Sequence, residues 1–106
     1  MTPFQKSTKD LMIETGLDID FCSNLLNIFI KNADSLIKSV KISIAEKEIK
    51  KAEYSLHQLK GSSGNVRAAD IFNNVIIAEA ALKKGDLVQA GTYIETISQL
   101  IADFYD

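Results

Sequence analysis

The sequence predicts an all-α fold: an antiparallel, up-down-up-down four-helix bundle with a short additional N-terminal helix. Two observations lead there. Apolar residues recur at steps of three and four along four long segments, as one face of a 3.6-residue helix requires, and no segment alternates apolar and polar side chains as a half-buried strand does. The only proline, Pro3, stands at the start of the chain, so nothing interrupts those segments, and their connections are short enough to make sequence neighbours antiparallel neighbours. A chain of 106 residues forms one domain, with the added helix over about 4–15 and the bundle over about 18–105.

The first segment runs from about Phe4 to Thr15 and carries Leu11, Met12 and Ile13; Pro3 suits a helix start and Gly16 a stop. Asp18 or Asp20 can cap the second by accepting hydrogen bonds from free backbone N–H groups. Its apolar stripe reads Phe21, Leu25, Ile28, Phe29, Leu36, Val40 and Ile44, with Ala33 and Ile37 beside it, and runs to about Ala45.

Glu46-Lys47-Glu48 makes a corner. Beyond it Ile49, Ala52, Leu56, Leu59, Ser63 and Val66 form the narrow seam of a third helix, which Gly64 or Asn65 helps to end because both tolerate left-handed backbone geometry. The fourth helix runs from about Ala68 to Lys84, with Ala68, Phe72, Val75, Glu79 and Leu82 on its core face, so that a carboxylate interrupts an apolar surface. Gly85 ends it and Asp86 caps a fifth, whose seam is Leu87, Ala90, Ile94, Ile97, Ile101 and Phe104; Ala90 and Gly91 allow close packing early in that helix.

Composition narrows the function. An apolar fraction of 46% and a charged fraction of 25% are those of a globular protein, which excludes disordered and collagen-like chains. A net charge of −2 argues against a nucleic-acid binder, which needs a basic face to neutralise phosphates. The lysines at 47, 50 and 51 are interleaved with Glu46, Glu48 and Glu53, as on a solvated helix end. Cys22 is alone and cannot form an internal disulfide. No apolar run reaches the ~20 residues of a membrane span, and the N-terminus lacks a charged-then-apolar leader; the expected location is the cytoplasm, without membrane insertion.

The chemistry is concentrated in Leu56-His57-Gln58-Leu59-Lys60-Gly61-Ser62-Ser63-Gly64, which holds the only histidine. On a helix Lys60, Gly61 and Gly64 lie three, four and seven residues past His57 and therefore on its side, leaving one imidazole beside one ammonium over a lane without side chains. Glycine inside a helix costs ~1 kcal/mol relative to alanine. Close packing of another helix or early termination would account for two of them; so would the approach of a bulky partner to the imidazole. Glu79 has a similar pair of readings. Either the core face is rotated and Glu79 is solvated, or it meets the third helix and accepts a hydrogen bond from Nδ1–H of His57, leaving Nε2 as a free nucleophile.

His57-Gln58-Leu59-Lys60-Gly61-Ser62-Ser63 resembles the H-x-L-K-G-S-[SA] signature of histidine-containing phosphotransfer (HPt) domains, and Gly64 to Ile71 is similar to its continuation. The resemblance spans roughly 17–105; Glu79 falls where the family places a glutamate or glutamine that holds the histidine, and Gly85-Asp86 matches the family's corner. Two departures stand out: Arg67 occupies a position where the family often has glycine, and Val75 one where it often has cysteine.

The resemblance implies a phosphorelay intermediate in two-component signal transduction, a monomer that is not an enzyme in its own right. His57 would accept a phosphoryl group from the aspartyl phosphate of a response-regulator receiver domain, fed by a hybrid histidine kinase, and pass it to the aspartate of another receiver. Lys60 would relieve charge on the phosphoryl oxygens. Gln58, Gly61 and Gly64 would meet the partner, while Ser62 and Ser63 cap or pack. No cofactor is expected on this chain; the Mg²⁺ of the transfer would come with the receiver.

Other classes fit less well. There is no room for a kinase's nucleotide-binding domain, and the lysine precedes the glycines, unlike a P-loop. One histidine cannot supply a di-iron bundle, and no nucleophile elbow accompanies the serines. The alternative from a different class is a non-catalytic helical adaptor that docks on a receiver without phosphotransfer.

Overall fold

In the computed structural model, which describes all 106 residues, five helices follow one another without a strand: α1 (Pro3–Thr15), α2 (Ile19–Ala45), α3 (Ile49–Asn65), α4 (Ala69–Lys83) and α5 (Leu87–Ala102). Their ends are set by local chemistry. Thr2 caps α1 in a capping box with Gln5, Pro3 occupies the first turn, and Gly16 closes the helix in the left-handed conformation at φ 73°. Asp18, rather than Asp20, caps α2 by accepting from the N–H of Phe21 at 2.8 Å. Asp86 caps α5 through the N–H of Gln89 at 3.0 Å.

The 27 residues of α2, at about 1.5 Å each, match the molecule's 42 Å length, so α2 runs along its long axis. Contacts link α2 to α3, α3 to α4, α4 to α5 and α5 back to α2, while α1 packs on α2. One cluster of buried side chains fills the space between them, including Leu26, Ile37, Leu56, Leu59, Val75 and Ile97. At one end Phe104 meets both Phe4 and Phe29 edge to face, with ring centroids 6.1 Å apart in each case. Phe4 N–H also donates to the carbonyl of Phe104, which ties the start of α1 to the end of the chain.

Of the seam expected for α3, Ala52, Leu56, Leu59, Ser63 and Val66 are buried, and Ile49 at its start is half-buried. On α2 the buried face is turned from the expected stripe. Cys22, Leu26, Ile30, Ala33 and Ile37 face inward with Phe29 and Val40, whereas Phe21 and Ile28 are exposed and Leu25 is half-buried. Leu87 and Gly91 of α5 are likewise exposed, and no neighbour lies within 4 Å of where a Cβ on Gly91 would stand, so close packing in that helix involves Ala90 alone.

The corner between α3 and α4 also differs from expectation. Neither Gly64 nor Asn65 turns the chain. Both lie within α3, and the left-handed residue is Arg67, at φ 62°. A non-glycine residue pays about 1–2 kcal/mol for that geometry, and Arg67 offsets it through its side chain. The guanidinium Nη1 donates to the carbonyls of Gly64 and Asn65 at 3.2 and 3.0 Å, and Nε pairs with Glu14 of α1. Ser7 Oγ donates to the Arg67 carbonyl at 3.1 Å. α1 thus braces the turn that sets α3 against α4.

Candidate functional site

Leu56 and Leu59 are completely buried, and each residue along a helix advances by about 100°, so the seam that buries them turns the next residue, His57, outward. Its side chain is 67% exposed. On α4, Val75, Ala78 and Leu82 are buried, and Glu79 lies beside them at the border facing α3 with only 8% of its side chain exposed. The two helices are in contact, and the carboxylate meets the imidazole there: His57 Nδ1 and Glu79 Oε2 are 3.3 Å apart.

The other oxygen of Glu79 is also engaged. Lys60 Nζ donates to Oε1 at 3.2 Å, and Lys83 Nζ, one turn beyond Glu79 on α4, stands 4.0 Å from the same atom. Burial pushes the Glu79 carboxyl up, but the hydrogen bond and charge of Lys60, the charge of Lys83 and the hydrogen bond of His57 outweigh it and hold the group below the usual carboxylate range. Glu79 is therefore ionised at neutral pH and can only accept hydrogen bonds. A proton in the contact with a neutral imidazole must sit on Nδ1, and that leaves the lone pair on Nε2. Nε2 has no hydrogen-bond partner in the protein.

The remaining expected residues fall on or around this face. Gln58 is exposed, with Nε2 donating to the hydroxyl of Tyr54 at 3.3 Å. A Cβ on Gly61 would meet nothing within 4 Å, so the surface beside the imidazole is open there. Gly64 is different: a Cβ would come 3.3 Å from the Phe72 ring, so its bareness serves the packing of α3 on α4. Ser62 and Ser63 donate to the carbonyls of Leu59 and Lys60 in their own helix, at 3.3 and 3.1 Å. Lys83 was not among the expected residues, although its spacing from Glu79, i to i+4 on one helix, was readable.

What this arrangement can do is present one unprotonated imidazole nitrogen, on a rigid helix, to something outside the protein. Two cavities, between α1 and the start of α4 (Pro3, Ser7, Arg67, Asp70) and between α1 and α2 (Phe4, Thr8, Met12, Ile19), are lined by other residues. No group of three or more His, Cys, Asp or Glu side chains converges to hold a metal ion. No helix is long and apolar enough to cross a membrane.

Comparison with known proteins gives two results. The family model for the Hpt domain matches residues 24–105, which include α3, α4 and every side chain around His57. The chain is also similar to histidine-containing phosphotransfer protein 1 of Arabidopsis thaliana, with 22% identity over 111 residues covering 90% of this chain and 72% of that protein. No solved structure matches. With a match over most of its length that takes in both helices of the site, the chain belongs to the Hpt domain family of histidine phosphotransfer modules.

Proposed function

We propose that this protein is a phosphorelay intermediate whose His57 takes a phosphoryl group from a receiver-domain aspartyl phosphate and passes it to the aspartate of a second receiver. The observation that carries the reading is the exposed imidazole with its Nδ1 held by the buried, ionised Glu79. The contact ring of α2, α3, α4 and α5 fits an antiparallel up-down-up-down bundle with α1 added outside it, which would hold the site rigid.

In the transfer the Nε2 lone pair attacks phosphorus while the bond from phosphorus to the aspartyl oxygen breaks, and the electron pair leaves with the aspartate. The neutral ring needs no base, because its one proton is on Nδ1 against Glu79. The ring becomes positively charged with its proton retained on Nδ1, against the Glu79 carboxylate that stabilises it. The second transfer reverses these bonds. Lys60 relieves charge on the phosphoryl oxygens, and the open surface at Gly61, flanked by Gln58, admits the receiver. The receiver supplies the Mg²⁺, and the phosphate comes ultimately from a hybrid histidine kinase. The domain acts as a monomeric carrier.

Incubation with a phosphorylated receiver and Mg²⁺ tests this. The wild type should acquire acid-labile, base-stable phosphate and His57→Gln none. Label retained by the variant, or absent from the wild type with several receivers, would remove the carrier function and leave an adaptor that only docks.

A further inference from the structure

The buried carboxylate of Glu79 has two cations for one job. Lys60 Nζ is at hydrogen-bond distance from Oε1, and Lys83 Nζ is at 4.0 Å from the same oxygen, on a side chain 61% exposed at the last turn of α4. Lys60, only 32% exposed, lies along the surface onto Glu79. Phosphoryl oxygens on Nε2 sit at the opposite edge of the ring from Nδ1 and its carboxylate. An ammonium that moves to them gives up its closest approach to Oε1. Glu79 would then keep a nearly buried negative charge with one strong partner fewer, just when it must steady the proton on Nδ1.

We infer that Lys83 is a positioning residue for His57, the second cation of Glu79, which closes on Oε1 when Lys60 leaves it for the phosphoryl group. This rests on the phosphocarrier function proposed above. Only the lysine ion pairs exchange; the covalent step is unchanged. An exposed lysine with no other acidic partner is free to make the movement, and the side chain needs to advance by about 1 Å to reach charge-assisted hydrogen-bond distance.

Lys83 is at the surface, so its variants should fold, and the test begins with a readout independent of transfer. The side-chain carboxyl of Glu79 is titrated by carbon NMR in the wild type, Lys60→Met, Lys83→Met and the double variant. Because Lys83 compensates for Lys60, the double variant should raise the Glu79 midpoint by more than the two single variants together. A rise equal to or smaller than their sum overturns the inference. In the second readout Lys83→Met should slow phosphoryl transfer from a receiver by about two- to tenfold, with Lys83→Arg close to wild type; a rate unchanged by Lys83→Met overturns it as well. If the wild type takes up no phosphate from any receiver, the phosphocarrier reading fails, whatever the titration gives.

Discussion

A single proton between His57 and Glu79 decides which imidazole nitrogen is available, and this makes Glu79 more than a packing residue. Glu79→Ala should release Nδ1 and let the ring sample both tautomers, seen as a shift of the Nδ1 and Nε2 signals toward the tautomer average in the imidazole ¹⁵N spectrum, and should slow transfer by about tenfold, the worth of one lost charge-assisted hydrogen bond. Spectra identical to wild type would refute the contact. Lys60→Ala should slow transfer more than it weakens receiver binding; a transfer rate equal to wild type would mean that Lys60 only neutralises Glu79. The meeting of His57 and Glu79 was one of the two readings that the sequence left open, because a carboxylate on an apolar helix face needs a donor and the lone histidine lay at the edge of the neighbouring seam. The commitment of Lys60 to Glu79 was not, since periodicity places a lysine on a face but does not say which way four methylenes lie.

Between elements, the α3–α4 turn and Gly64 of α3 set how the two helices of the site meet. Arg67→Ala keeps the left-handed strain and loses the bonds that offset it, so it should destabilise by about 1–2 kcal/mol in urea unfolding, whereas Arg67→Gly relieves the strain and should stay within about 1 kcal/mol of wild type. Equal losses for the two would remove the account of the turn. Gly61→Ala should add about 1 kcal/mol of stability by helix propensity and meet no atom of the protein, yet on the proposed function it should slow transfer from a receiver, whose approach that open surface would admit. Faster or unchanged transfer would assign that glycine to no function. The seam of α3 could be read from Ala52 to Val66 because its apolar residues are few and evenly spaced. α2 could not, for Leu25-Leu26 and Ile28-Phe29-Ile30 offer apolar side chains on several faces, and only packing against α3, α5 and α1 selects Leu26 and Ile30 over Leu25 and Ile28. At the turn, residue preference pointed to Gly64 and Asn65, while the long-range bonds of Arg67 to Glu14 and Ser7 decided the geometry.

For the whole molecule the site makes stability depend on pH in a stated direction. Glu79 is held below the usual carboxylate range when folded and returns to it when unfolded, so the native state binds fewer protons. Its contribution is fully present at neutral pH and is lost as pH falls through the depressed folded value. The advantage of the wild type over Glu79→Gln in urea unfolding should accordingly shrink on acidification below the carboxylate range; a difference constant with pH would contradict the ionised carboxylate. The same five helices that bury Glu79 leave His57 at the surface, so the fold both holds Nδ1 and exposes the imidazole that the proposed transfer would use. The proposed transfer engages one atom, which phosphorus–nitrogen coupling identifies in protein labelled with ¹⁵N at the imidazole and phosphorylated by a receiver with Mg²⁺. The coupling should fall on Nε2 of His57; coupling to Nδ1, or phosphate on no histidine at all, would contradict it.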